Sequence, residues 1–273
     1  MRALVRDPSR EPARALKEQG AELRTGDVTE AASLDGAFDG AGTAFYLVHA
    51  MAGGAGFHER DLAGARNFAR AAAAGGVERV VYLGGLGDEQ ASEHLRSRHA
   101  TALALREEGP PLTYFRAAMV VGADSESYRT LRYLVKRLPV MLAPSWLRTD
   151  TQPIAIDDVI AFLARAPQVP QSSGREVEIG GPDVLSYGEM LDRMADAMGV
   201  RRRPKVPVPL LTPGLSALWL GLVTPVDTNV ARPLVEGLRA RTVVRDPSGA
   251  APFGIEPVAF DVALRRALQE EEG

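Results

Sequence analysis

The sequence predicts an α/β fold: a doubly wound parallel sheet with crossover helices, followed by a smaller C-terminal region. Three observations predict it. In the first half of the chain short apolar runs alternate with amphipathic helical runs, the pattern of strands joined by crossover helices. Helical runs stop at glycines, among them Gly20 and Gly75-Gly76, where a left-handed residue ends a helix most easily. The run from Val77 to Leu83 is apolar through most of its length, as expected of a strand covered on both faces.

Taken in order, strands are expected over residues 2–5, 21–25, 43–48, 79–83 and 112–115. Helices are expected between them over 9–19, 31–38, 57–74 and 92–107, the first with Pro8 on its approach and Ser9 as N-cap. Beyond Phe115 proline density rises and the alternation loosens. Helices are expected there over 127–137, 155–166, 187–198 and 258–269, with one more strand over 175–179 ending in Gly180-Gly181-Pro182. Residues 1–118, with 157–181 returning to them, form the expected core domain, and 119–156 with 182–273 the smaller region. There is no internal repeat, and the tail after residue 269 is expected to fray.

The 273 residues suffice for one large domain or a core with an appendage. A hydrophobic fraction of 45% and a charged fraction of 25% describe a globular chain, and a net charge of −3 gives no reason to expect nucleic acid. The basic residues are nearly all arginine, with Lys17, Lys136 and Lys205 the exceptions, which reads as coding bias. Absence of cysteine excludes disulfides, thiolate catalysis and cysteine-based zinc sites. The four histidines, His49, His58, His94 and His99, have no metal-ligand spacing, so no metal is expected. The apolar start is too short for a signal peptide, and a cytoplasmic location is the expectation. Residues 206–226 carry no charge, but Pro207, Pro209, Pro213 and Pro225 leave only 214–224 for an uninterrupted helix. That stretch reads as a buried helix or pocket wall in preference to a peripheral membrane or partner contact, and no transmembrane span is expected.

The order of landmarks resembles the atypical and extended short-chain dehydrogenase/reductase superfamily, closest to NmrA-like NAD(P)H-binding proteins and the nucleotide-binding accessory subunit of respiratory complex I. Arg2-Ala-Leu-Val-Arg6-Asp-Pro resembles the family's second strand and turn, Gly26-Asp27-Val28 the end of its third, and Tyr46-Leu-Val48-His49 the end of its fourth. Val80-Val-Tyr-Leu-Gly84-Gly-Leu-Gly87 resembles the fifth strand and the loop that carries the catalytic serine. Arg116-Ala-Ala-Met-Val-Val-Gly122 resembles the segment under the nicotinamide. Residues 151–159 and 178–187 resemble two late motifs. The resemblance implies a Rossmann-like fold.

The family's first strand and its Gly-x-x-Gly-x-x-Gly turn, which bring backbone N–H groups to a pyrophosphate, have no counterpart ahead of Arg2. In the strand order 3-2-1-4-5-6 that strand is central, so without it the sheet is expected to split. The expectation is a start about 25–30 residues downstream of the true one, by the length of a βαβ unit. Met1 stands where relatives carry an apolar strand residue, as a misread internal start codon would give. The alternative is a genuinely short and inactive or unstable product.

On the resemblance, Arg6 occupies the position that chooses between cofactors. An acid there bonds the ribose hydroxyls of NAD(H), whereas an arginine pairs with the 2′-phosphate of NADP(H). Arg6 with Arg10 favours NADP(H), although Asp7 follows directly. The plain alternative is a solvated arginine in a turn. Asp27 and Val28 are the adenine-side candidates, or else an ordinary turn. Val48 and His49 end a strand beside the expected cofactor path, and His49 alternatively bonds a backbone carbonyl.

The catalytic positions depart from the pattern. Family enzymes use Tyr-x-x-x-Lys on one helix face, the lysine holding the nicotinamide ribose and lowering the tyrosine pKa. Here the aligned residues are His94 and Arg98, and the serine loop reads Gly84-Gly85. A histidine titrates near neutrality, so His94 is the candidate acid–base group; Arg98 is a candidate ribose contact. Both are alternatively polar residues of an amphipathic helix. Tyr128, Tyr133, Trp146, Leu210, Leu211 and Trp219 line an apolar pocket or belong to the core.

Three functions follow. The first is an NADPH-dependent oxidoreductase acting on a small hydrophobic carbonyl or quinone. The second is a non-catalytic NAD(P)H-binding redox sensor or assembly factor with a protein partner. The third is a nucleotide-sugar epimerase-like enzyme, which depends on the absent tyrosine.

Overall fold

The computed structural model describes residues 1–48, 57–88, 92–143, 145–207 and 238–272. In chain order its strands are β1 (Arg2–Val5), β2 (Glu22–Thr25), β3 (Thr43–Tyr46), β4 (Arg79–Gly85), β5 (Leu112–Ala117), β6 (Val120–Val121), β7 (Met141–Ala143), β8 (Asp150–Thr151), β9 (Ile154–Ala155), β10 (Glu176–Ile179), β11 (Leu185–Ser186) and β12 (Lys205–Pro207). The α-helices are α1 (Glu11–Glu18), α2 (Phe57–Ala74), α3 (Glu93–Glu108), α4 (Glu126–Arg137), α5 (Ile156–Arg165), α6 (Tyr187–Ala197) and α7 (Phe260–Glu272). This is the expected Rossmann-like α/β architecture. Its larger sheet has the order β10-β5-β4-β3, and β1 and β2 form a separate pair. The chain folds as two compact units: Met1–Leu83, Ala100–Tyr114 and Ser173–Arg175 in the first, the remaining residues in the second.

In the first unit β1 and β2 pair in parallel from Arg2↔Glu22 to Val5↔Thr25, and β3 and β4 from Thr43↔Arg79 to Tyr46↔Tyr82. Among the described residues β1 and β3 share no ladder, so the parallel pairing is interrupted between them, as the strand order predicts. Helix α2 supplies the cover. Its alanines Ala65, Ala69 and Ala72, at helical spacing, are fully buried, and Phe68 between them meets Phe38 and Tyr46 edge-on at 4.9 Å in both cases. Small side chains let the helix approach: a Cβ on Gly64 would stand 2.9 Å from Val28 Cγ2. Burial pushes the Tyr46 phenol far above its usual range, with the Asp61 charge adding to it.

The second unit has its own core, in which Tyr128, Leu134 and Val135 of α4 meet Met190, Leu191 and Met194 of α6 and Leu264 of α7. Ser125 caps α4, its hydroxyl accepting from Tyr128 N. Ser186 and Glu189 form a reciprocal capping box at α6. Phe115, Phe162 and Phe253 form a second aromatic group with centroids 5.3–6.0 Å apart. The two late motifs are joined here. Gln152 donates to Gly181 O at 2.7 Å and accepts from Val244 N at 3.0 Å, while β8 and β11 pair antiparallel. Thr242 donates to Thr151 at 2.7 Å, and burial pushes the Tyr187 phenol up to about 12 against the hydrogen bonds that Thr151 and Thr242 make to it.

Several local expectations need correction. The helix expected over 31–38 is one 3-10 turn, Ala31–Leu34, because Asp35 turns extended and Gly36 takes φ +66°. The hydroxyl of exposed Ser33 donates to the carbonyls of Glu30 and Asp27. Ser9 does not cap α1: Arg10 stands at the N-cap with no side-chain bond, and Ser9 pairs with Asp7 instead. Of the residues read as pocket wall or core, Tyr128 and Trp146 belong to the core, and half-buried Tyr133 carries the Arg137 guanidinium 5.2 Å from its ring centroid. Leu210, Leu211 and Trp219, with most of the uncharged stretch, lie outside the described residues.

Candidate functional site

In parallel α/β sheets ligands bind beyond the carboxyl ends of the strands, where the strand order reverses. In the first unit those ends belong to β1, β2 and β3. Arg6 leaves β1 exposed to solvent. Asp7 then folds back, its Oδ1 accepting from Ser9 N at 2.9 Å and Ser9 Oγ at 2.6 Å. These bonds hold the Asp7 carboxyl below its usual range, the Ser9 hydroxyl contributing most and the Arg10 charge least.

The end of β2 is built in the same way. Gly26 N donates to Val5 O at 3.0 Å, and a Cβ on Gly26 would lie 2.8 Å from both Leu4 Cδ1 and Ser33 O, so the two strand ends meet only because residue 26 is glycine. Asp27 Oδ1 accepts from Thr29 N and Thr29 Oγ1, at 2.9 and 2.8 Å. The Thr29 amide and then its hydroxyl hold the Asp27 carboxyl down, and the Arg6 charge lowers it further. Val28 is buried, with its carbonyl accepting from Asn67 Nδ2 at 2.9 Å. Val48, just past β3, is 48% exposed. His49 lies outside the described residues.

In the second unit Gly84 is buried on β4, and Arg98 is half-buried on α3. His94 lies one turn before Arg98 on that helix, and its side chain is outside the described residues. Among the described residues no cluster of His, Asp and Glu is placed to hold a metal. None of their helices is long and apolar enough to cross a membrane.

Sequence reasoning missed two residues here, Ser33 and Asn67, and it read Arg116 only as the start of a motif; Asn67 and Arg116 bind backbone carbonyls 39 and about 30 residues away, where no local pattern reaches.

A family model described as the NmrA-like family matches residues 1–182. The mitochondrial NADH dehydrogenase [ubiquinone] 1 alpha subcomplex subunit 9 of Arabidopsis thaliana is 29% identical over 142 residues. That match covers 50% of this chain and 35% of the relative, so the chain aligns with about a third of that protein. Among solved structures, the triphenylmethane reductase of a Citrobacter species superposes with a TM-score of 0.77 at 17% identity, covering 98% of this chain and 90% of that one. The NADPH-dependent quinone oxidoreductase of Escherichia coli, complexed with NADPH, gives 0.73 at 19% identity, over 100% and 90% of the two chains. At such identities the superpositions establish the fold.

Proposed function

This chain belongs to the NmrA-like family, and from that premise we propose that it binds a nicotinamide dinucleotide, NADP(H) in preference to NAD(H), and reduces a small hydrophobic carbonyl or quinone. One observation carries the cofactor preference. The acid beside the selecting position, Asp7, is committed to Ser9 on its own turn. A carboxylate so engaged is a poor acceptor for ribose hydroxyls, and the exposed Arg6 is left as the group that meets the ribose substituent, a 2′-phosphate. Similar structures named with NADPH or NADP(H), and others named with NAD, support a nicotinamide nucleotide as the ligand.

Residues 1–118 with 157–181 would hold the cofactor, and 119–156 with 182–273 the substrate or a protein partner. Arg6 and Arg10 fit a 2′-phosphate, and the Asp27–Thr29 turn fixes the backbone on the adenine side. When bound, the cofactor supplies a hydride. The chain's own contribution is then to orient it, through Arg6, Asp27, Val28, Val48 and His49, with Gly84 and Arg98 at the nicotinamide end. His94 exchanges the proton that balances hydride addition to the carbonyl carbon.

Calorimetric binding of NADPH and NADH tests the reading, on this chain and on a version extended through the upstream reading frame. NADPH binding tighter than NADH by about tenfold or more is expected, the worth of one charge-assisted contact to the 2′-phosphate. Equal or inverted affinities overturn the preference. Saturable NADPH oxidation by a quinone panel is the expected activity, and His94→Ala is expected to slow it. The absent Tyr-x-x-x-Lys pair favours a second reading, a non-catalytic NAD(P)H sensor or assembly factor. Tight binding without turnover, plus a co-purifying protein, selects that one.

A further inference from the structure

We propose that Arg116 is the positioning residue of the β4 end and the turn after it, residues 84–87, its guanidinium clamping two glycine carbonyls so that this turn keeps the shape the nicotinamide end of the cofactor requires. This rests on the cofactor reading above. Arg116 lies on β5 with its side chain 14% exposed. Its Nε donates to Gly85 O at 3.4 Å and its Nη2 to Gly87 O at 2.7 Å, while Nη1 stands 3.5 Å from Glu176 Oε2 on β10. One side chain thus joins the end of β4, the loop after it and the neighbouring strand β10. The fixed fork of a guanidinium reaches both carbonyls at once, which the single point of a lysine ammonium does not.

The Leu86 side chain in this segment is buried. Leu86 N donates to Ala117 O at 2.7 Å. Gly87 takes φ +131°, a conformation that L-residues rarely adopt, and a Cβ there would stand 3.1 Å from Thr242 Cγ2. The loop lies at the carboxyl end of β4, where parallel sheets place their ligands. Gly84 and Gly85, the last residues of β4, bring no side chains of their own to fix the turn that follows. A half-buried cation spent on two backbone carbonyls and on Glu176 therefore joins the Leu86 amide in fixing it.

The test compares Arg116→Lys and Glu176→Gln for binding of NADPH and of adenosine 2′,5′-bisphosphate, which lacks the nicotinamide. Arg116→Lys is expected to weaken NADPH about fivefold or more, the worth of one hydrogen bond, and to leave the bisphosphate within about twofold. Its bound-NADPH fluorescence is expected to shift toward that of the free nucleotide. Glu176→Gln keeps the carbonyl bonds and is expected to bind both ligands as the parent does. Equal losses for both ligands, or a loss in Glu176→Gln matching that in Arg116→Lys, overturn the proposal. If Arg116→Lys does not fold, Gly87→Ala distorts the same loop and is expected to give the same selective loss; unchanged NADPH binding there overturns it. If the parent protein binds the bisphosphate but not NADPH, the positioning role falls while the adenosine-side reading stands. If it binds neither, the cofactor reading falls and takes this role with it.

Discussion

Arg6 and the two aspartate turns beside it are the part of the molecule where single side chains decide most. Asp7 and Asp27 each close a two-residue turn with a hydroxyl residue, Ser9 and Thr29, at the ends of paired strands. Reversing the charge with Arg6→Glu is expected to weaken NADPH by about tenfold or more and to leave NADH binding unchanged or tighter, read by calorimetry. A loss shared equally by both nucleotides would remove Arg6 from the selecting role. The Asp27 turn has a pH signature. Its folded carboxyl sits below the ordinary value of 3.8, so its contribution is complete above that value and is lost as pH falls through the lower folded one. Thermal melting between about pH 5 and pH 2 is expected to show a smaller acid-induced fall in Asp27→Asn than in the parent. Identical pH slopes would show that the turn adds nothing to stability.

Single elements carry their own stability terms. The capping box of α6 satisfies the Glu189 and Ser186 amides reciprocally, and Ser186→Ala is expected to cost about 1 kcal/mol in urea unfolding. On α2, Gly64→Ala drives a methyl to 2.9 Å from Val28 and 3.5 Å from the Tyr46 hydroxyl, and is expected to cost about 1–3 kcal/mol. Gly42→Ala, where a Cβ meets nothing within 4 Å and φ is not positive, is the control that should stay within about 0.5 kcal/mol. A Gly64→Ala protein as stable as this control would mean that α2 shifts freely against β2 and β3. The helices were legible as elements because their apolar spacing is local. Val28 was read from its place in a motif as an adenine contact, and the structure adds that its side chain packs under Gly64.

Across the whole molecule the parallel pairing is uneven. The pair β1-β2 stands as its own sheet, whereas β4 lies between β3 and β5 with Val80, Val81 and Tyr82 fully buried. Two strands alone are marginal, and burial and flanking ladders set local opening energies. Amides of β1 and β2 are therefore expected to exchange with solvent at least about tenfold faster than those of β4 and β5, by hydrogen-exchange mass spectrometry. Equal protection would mean that β1-β2 is held as firmly as the larger sheet. A nicotinamide dinucleotide that contacts Arg6 and the Asp27 turn is expected to slow exchange in β1 and β2 before it does so elsewhere.

The sequence by itself determined the α/β class, the strands at 2–5 and 79–83 and the α2 helix at 57–74, since periodicity is a property of local pattern. Left-handed Gly20 and Gly76 were legible for the same reason. Only the tertiary structure decided the short pairs β6–β9, β7–β12 and β8–β11, too brief for any period to register. It alone decided that Ser9 serves Asp7 rather than α1, and that Arg116 and Gln152 spend their side chains on carbonyls tens of residues away. Hydrogen bonds of that kind join residues that sequence separates, and their partners are chosen by how the elements pack.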